Sequence, residues 1–147
     1  MATVERFSLR MVQAALDANG WQYEVDDDGD YRVGFANEDI QVAVYPMVRG
    51  NDNDLLSLMA TSPLYWSDTE RNPLIEACNE WNAERRWPTA YLMADSDGDL
   101  RISLDWHVDL SPGVHHELLL DMINTFVATA MGFWEWMRDD KLLLGDD

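Results

Sequence analysis

Three acidic runs are the first residues that could do chemistry: DDDGD at 26–30, NDND at 51–54 and DSDGD at 95–99. Clustered carboxylates suit a hard cation. A calcium loop, however, needs glycine at its sixth position and a bidentate glutamate at its twelfth. Counting from Asp95 puts glycine fourth and Trp106 twelfth; counting from Asp26 puts Asn37 twelfth. Asp-Gly between apolar runs is itself a hairpin signal, so the runs read as turns and no metal site is assigned. His107, His115 and His116 form no HExxH-like pair, and the adjacent His115 and His116 read as exposed positions in the first turn of a helix. Cys78 is the single cysteine. It can make no internal disulfide, and on an apolar helical stripe it reads as a small buried hydrophobe. No serine sits in a GxSxG context and no glycine-rich phosphate loop occurs. With 28 acidic residues, carboxylate pairs arise by chance and assign nothing. No catalytic residue and no cofactor site emerges, and the chain reads as a non-enzyme.

The elements that would position these residues follow from hydrophobic period. Val4 to Leu16 carries a helical stripe that Asn19-Gly20 ends. The period then shortens: WQYEV, YRVGF, DIQVAVYPMV and LLSLMAT read as four strands of an antiparallel meander. A second helix is expected from an Asn72 cap and Pro73, ending near Arg86 because Trp87 precedes Pro88. TAYLMAD and LRISLDWHV read as two further strands joined by SDGD. A last helix is expected from a Ser111 cap through Met137, with Leu119, Met122, Ile123, Phe126, Ala130, Phe133 and Trp134 on its inward stripe. KLLLGDD is expected to be a loosely ordered tail. The order α, four strands, α, two strands, α gives one α+β domain over residues 1–147, its core about 4–138, with helices packed on a mainly antiparallel sheet.

The totals bound the partners. A chain of 147 residues with 47% hydrophobic residues and seven tryptophans can bury one core. No apolar run is long enough for a transmembrane span. No signal peptide is recognisable, so a cytoplasmic protein is expected. The net charge of −18 repels phosphate backbones and anionic lipid, which argues against nucleic-acid and membrane partners.

The densest stretch is NEWNAERRWPTAYL, residues 79–92. A helical wheel puts Leu74, Ala77, Cys78, Trp81 and Arg85 on one face, with Glu76, Glu80 and Glu84 opposite. Trp81 reads as a core anchor. Arg85, one turn on, could lie against its ring as a cation–π pair, meet a carboxylate, or extend to solvent. Asn79 and Asn82 are poor helix formers; side chains bonded to the backbone of a neighbouring strand would account for them. Trp87-Pro88 turns the chain into the next strand.

The pattern W-N-x-E-x-x-W-P-x-x-Y, carried by Trp81, Asn82, Glu84, Trp87, Pro88 and Tyr91, resembles the signature corner of the YbjN family. The Asp97-Gly98 hairpin and Gly113-Val114 before the last helix fit it, and the element order matches over roughly residues 5 to 136. The resemblance implies a bacterial sensory transduction regulator with a fold similar to type III secretion chaperones, small acidic homodimers that hold extended partner segments. It carries no catalytic residues. The expectation is therefore a homodimeric interaction module for an unidentified protein partner. Its candidate contacts are Trp66, Arg85, Trp106, Phe133, Trp134 and Trp136, of which Trp136 stands off the inward stripe and should be the exposed aromatic. The alternative is a small-ligand module with an apolar pocket between sheet and helices.

Overall fold

A computed structural model describes residues 3–147. Helix α1 (Leu9–Ala18) is followed by strands β1 (Glu24–Val25), β2 (Tyr31–Asn37), β3 (Ile40–Arg49) and β4 (Leu55–Thr61). A 3₁₀ turn (Asp68–Glu70) leads into α2 (Arg71–Glu84), then come β5 (Thr89–Ala94), β6 (Leu100–Asp109) and α3 (His116–Asp139). The six strands form one sheet in the order β1-β2-β3-β4-β6-β5, antiparallel throughout. This is the expected α+β order, with β6 inserted between the meander and β5.

Strand alternation gives the sheet two different faces. Val33, Val44, Leu56, Leu58, Leu104 and Ile102 point to one side and are buried with α1, α2 and α3 in a single core. Its largest fully buried side chains include Trp66, Trp134, Phe126 and Phe133. The other side presents Arg32, Gly34, Tyr45, Met59, Asp105 and His107, all half-buried or exposed. No helix is long and apolar enough to cross a membrane among the described residues.

Several boundaries differ from expectation, each for a local reason. α1 begins at Leu9 rather than near Val4, because Ser8 caps it by accepting from the Met11 N–H. Ahead of it, Glu5 forms an antiparallel bridge, exchanging both backbone bonds with Val114. Gly113 permits that approach: its φ is 98°, and a Cβ there would lie 2.8 Å from Val4 Cγ1 and 2.9 Å from the Glu5 carbonyl oxygen. Only Glu24 and Val25 of WQYEV pair as strand. Trp21 and Tyr23 instead pack edge-on against Phe35 and Tyr31, each pair 5.0 Å apart. Asn72 does not cap α2, since the preceding 3₁₀ turn, capped by Ser67, starts the coil earlier. Ser111 does not cap α3: the helix begins at His116, and His115 caps it by accepting the Leu118 N–H at Nδ1.

The tail is the largest correction. Residues 141–146 run back along the molecule. Tyr65 and Asp146 exchange two backbone bonds of 2.9 Å, and Trp66 Nε1 donates to the Leu143 carbonyl at 3.0 Å. Lys141 pairs with Glu80 on α2. The sequence signal failed because three leucines and a Gly-Asp end have no period, while their partners lie about 80 residues away.

Candidate functional site

The corner between α2 and β5 is built from its own sequence. Trp81, on the buried stripe of α2, packs edge-on to Phe133 at 5.1 Å and against Trp136 at 5.4 Å. Its Nε1 donates to the Pro88 carbonyl at 2.9 Å, so the helix anchor also fixes the chain after it has turned. The Trp87–Pro88 peptide is cis. Asn82 then makes two bonds of 2.9 Å: its Nδ2 donates to the Ala90 carbonyl, and its Oδ1 accepts the Ala90 N–H. Those groups point away from β6, so the amide occupies the place of a neighbouring strand and closes the sheet edge at that residue. Asn79, on the same flank, is exposed. Arg85 ends the helix in an extended conformation, one residue before the expected stop. Its guanidinium lies over the Trp81 ring at 4.9 Å, the cation–π pair among the expected alternatives, with Glu84 3.5 Å away.

Trp87 stacks flat on Trp106 of β6, ring centroids 5.2 Å apart and planes 7° from parallel. Trp87 remains 37% exposed. Arg85 and Arg86 are exposed beside it. The structure thus brings together Trp81, Asn82, Arg85, Trp87, Pro88, Trp106 and Trp136. Trp136 is half-buried, against the expectation of an exposed aromatic, because Trp81, Phe133 and Lys141 enclose it. Trp66, Phe133 and Trp134 are fully buried and cannot touch a partner. Tyr91 separates from the group. It points to the helix-free face beside Ser103 and Asp105, and burial and the Asp105 charge raise its phenol above the usual range.

The acidic runs and Cys78 resolve mostly into local structure. Asp26 Oδ1 accepts the N–H groups of Asp28 and Asp30, and Asp95 Oδ1 those of Asp97 and Asp99, so both runs are Asx-stabilised turns. Arg49 clasps Asp30, and Arg101 clasps Asp95, holding that carboxyl below its usual range. Cys78 is buried on α2, and desolvation pushes its thiol up to about 11.

One cluster was missed. On the helix-free face, Ser57 Oγ lies 2.7 Å from His107 Nδ1, and His107 Nε2 lies 3.3 Å from Asp105. Asp105 and His107 are two apart in β6, a visible signal; Ser57 joins only through the β4–β6 register. Ser57 is buried and β4 is paired on both edges, so its backbone leaves no free N–H pair for an oxyanion. Two hollows stand out. One of about 550 Å³ sits on the helix-free face. The second, of about 510 Å³ and lined by Phe7, Leu9, Val48 and Arg49, lies where the start of α1 meets β3, at the edge of the region in which the small-ligand alternative placed its pocket.

Comparison with known proteins bears on this fold. No curated protein matches the sequence. The chain superposes on the structure titled "Crystal structure of YbjN, a putative transcription regulator from E. coli" with a TM-score of 0.74 and 14% identity, covering 99% of this chain and 100% of that one. An uncharacterized protein from Methanothermobacter thermautotrophicus superposes with a TM-score of 0.57 and 12% identity, covering 92% of this chain and 99% of that one. At such identities these likenesses show the fold. The family model described as "Putative bacterial sensory transduction regulator" matches residues 8–139, so the chain belongs to the YbjN family.

Proposed function

We propose that the chain is a non-catalytic regulatory module that acts in the cytoplasm, as a homodimer, by binding a protein partner through the Trp87–Trp106 corner. The observation that carries this reading is the flat Trp87–Trp106 stack, open to solvent and flanked by Arg85 and Arg86 on an otherwise strongly acidic chain. Tryptophan and arginine are the residue types that dominate binding energy at interfaces. The charge favours an acidic segment bearing a flat or aromatic side chain. The adjacent edge of β5 offers a second handle. Ala90 is closed by Asn82, but antiparallel alternation turns the N–H and C=O of Leu92 and Ala94 outward, where an extended segment could pair. The related E. coli protein is described as "a putative transcription regulator". With a net charge of −18, such a role would run through a protein contact more readily than through DNA.

The test is affinity capture from the source organism with the wild type and with the Trp87→Ala and Arg85→Ala/Arg86→Ala variants, alongside sedimentation for self-association. A protein retained by the wild type and lost by both variants is the expected result. Equal capture by all three would remove the corner as the contact, and a monomer at all concentrations would remove the dimer.

A further inference from the structure

We infer that the hollow on the helix-free face is a binding site for a small planar carboxylate, with Arg32 as its anion receptor. This goes beyond the partner reading and uses residues on β2, β3 and the end of β4, away from the corner. The hollow, about 550 Å³, is floored by Gly34, Ala36 and Ala43 and rimmed by Arg32, Tyr45 and Thr61. That volume is in the range of small-molecule sites.

Arg32 is unusual in this chain. Arg49, Arg71, Arg85, Arg101, Arg138 and Lys141 all pair with carboxylates. Arg6, Arg10 and Arg86 do not, but they are exposed to water. Arg32 is half-buried and has no carboxylate at ion-pairing distance among the described residues, although Glu24 faces it across the β1–β2 register. Its Nε donates to the Tyr45 hydroxyl at 3.3 Å, and its Nη1 lies over Gly34, 4.0 Å from where a Cβ would stand. The guanidinium is therefore laid toward the hollow, with its outer N–H groups free. A carboxylate would meet them in the paired geometry that makes arginine selective for planar anions.

Gly34 supports the same assignment. Glycine weakens a strand interior and often marks a close approach by a ligand. Here the backbone does not require it, since Gly34 is not among the positive-φ residues. Nor does packing require it, since an added Cβ would meet nothing nearer than the Arg32 guanidinium. With Ala36 and Ala43 beside it, the small side chains leave a flat floor that suits a planar apolar body.

The experiment is titration of the full chain with naphthoate and with its uncharged amide, naphthamide, read by calorimetry and backbone amide NMR. The expected result is one saturable site for naphthoate with shifts at Gly34, Ala36, Ala43 and Thr61, and binding of naphthamide weaker by about tenfold or more, which is about 1.4 kcal/mol. Arg32→Gln should weaken naphthoate about as much. Gly34→Leu should fill the floor and abolish binding, with circular dichroism checking that both variants keep the fold. No saturation at millimolar naphthoate would overturn the inference. So would equal binding of acid and amide, which needs no variant. If Gly34→Leu instead dissociates a dimer while naphthoate stays unbound, the hollow serves a second copy and the assignment to an acid is wrong.

Discussion

Two seams close this molecule with the same device. At the corner, a buried tryptophan on α2 donates its indole N–H to the carbonyl of Pro88, seven residues on. At the tail, buried Trp66 donates to the carbonyl of Leu143, 77 residues on. In both, a large apolar side chain fills the core while its one polar atom holds a returning chain. The difference lies in reach. The corner's partners are neighbours in sequence, so helix period, a proline and two asparagines announce it. The tail's partners are brought together only when β4 and α3 are already in place.

The corner should carry the larger share of stability. Trp81→Ala removes packing against Phe133 and Trp136, the seat of Arg85 and the bond to Pro88. It should cost about 3–5 kcal/mol in urea denaturation. A loss near that of an exposed residue would mean that the corner relaxes around the gap and is not the anchor described here. Asn82→Ala comes next, at about 2 kcal/mol, because it strips partners from both the N–H and the C=O of Ala90. Hydrogen exchange should then speed up at Ala90 and leave the β3–β4 ladder unchanged. Uniform acceleration would show that the asparagine supports the whole fold instead of one sheet edge.

Legibility follows the same division. The α+β order, the burial of Cys78 and the Asn82 bonds to a strand are legible, and the Arg85–Trp81 contact is one of three legible alternatives, because each rests on hydrophobic period or on partners close in sequence. Helix starts differ where another side chain supplies the cap, as when His115 Nδ1 accepts the Leu118 N–H of α3. Trp136 was placed off the inward stripe correctly. It is nonetheless covered, since α2 and Lys141 approach from the side, which a wheel of α3 alone cannot show. The Ser57–His107–Asp105 chain and the Arg32 hollow depend on register across strands, and one sequence does not carry that register.

The tail seam can be opened without touching its tryptophan. A Cβ on Gly145 would stand 2.6 Å from the Tyr65 carbonyl oxygen and 2.9 Å from the Trp66 ring, so Gly145→Ala must push the tail away. The expected cost is about 1–2 kcal/mol, with the indole fluorescence of Trp66 shifting as its cover loosens. An unchanged melting point would mean that the tail's docking adds nothing to stability.

The smallest effect gives the sharpest comparison. Trp66 and Trp134 are each 1% exposed, but Trp66 Nε1 has the Leu143 carbonyl while Trp134 Nε1 has no partner among the described residues. Replacing either with phenylalanine removes the same indole volume. Both are buried to the same degree, so the transfer contributions are close, and the difference reports the N–H together with how far each site closes on its gap. For Trp66 the change breaks a bond and strands a carbonyl. For Trp134 it removes a buried donor that is already unsatisfied. Trp66→Phe should be the costlier by about 1 kcal/mol, read from urea midpoints at equal slope. Equal costs would mean that the bond to Leu143 contributes no more than the water it displaced. The tail would then be held by Leu143, Leu144 and the Tyr65–Asp146 pairing, and the two seams would share a geometry without sharing an energetic role.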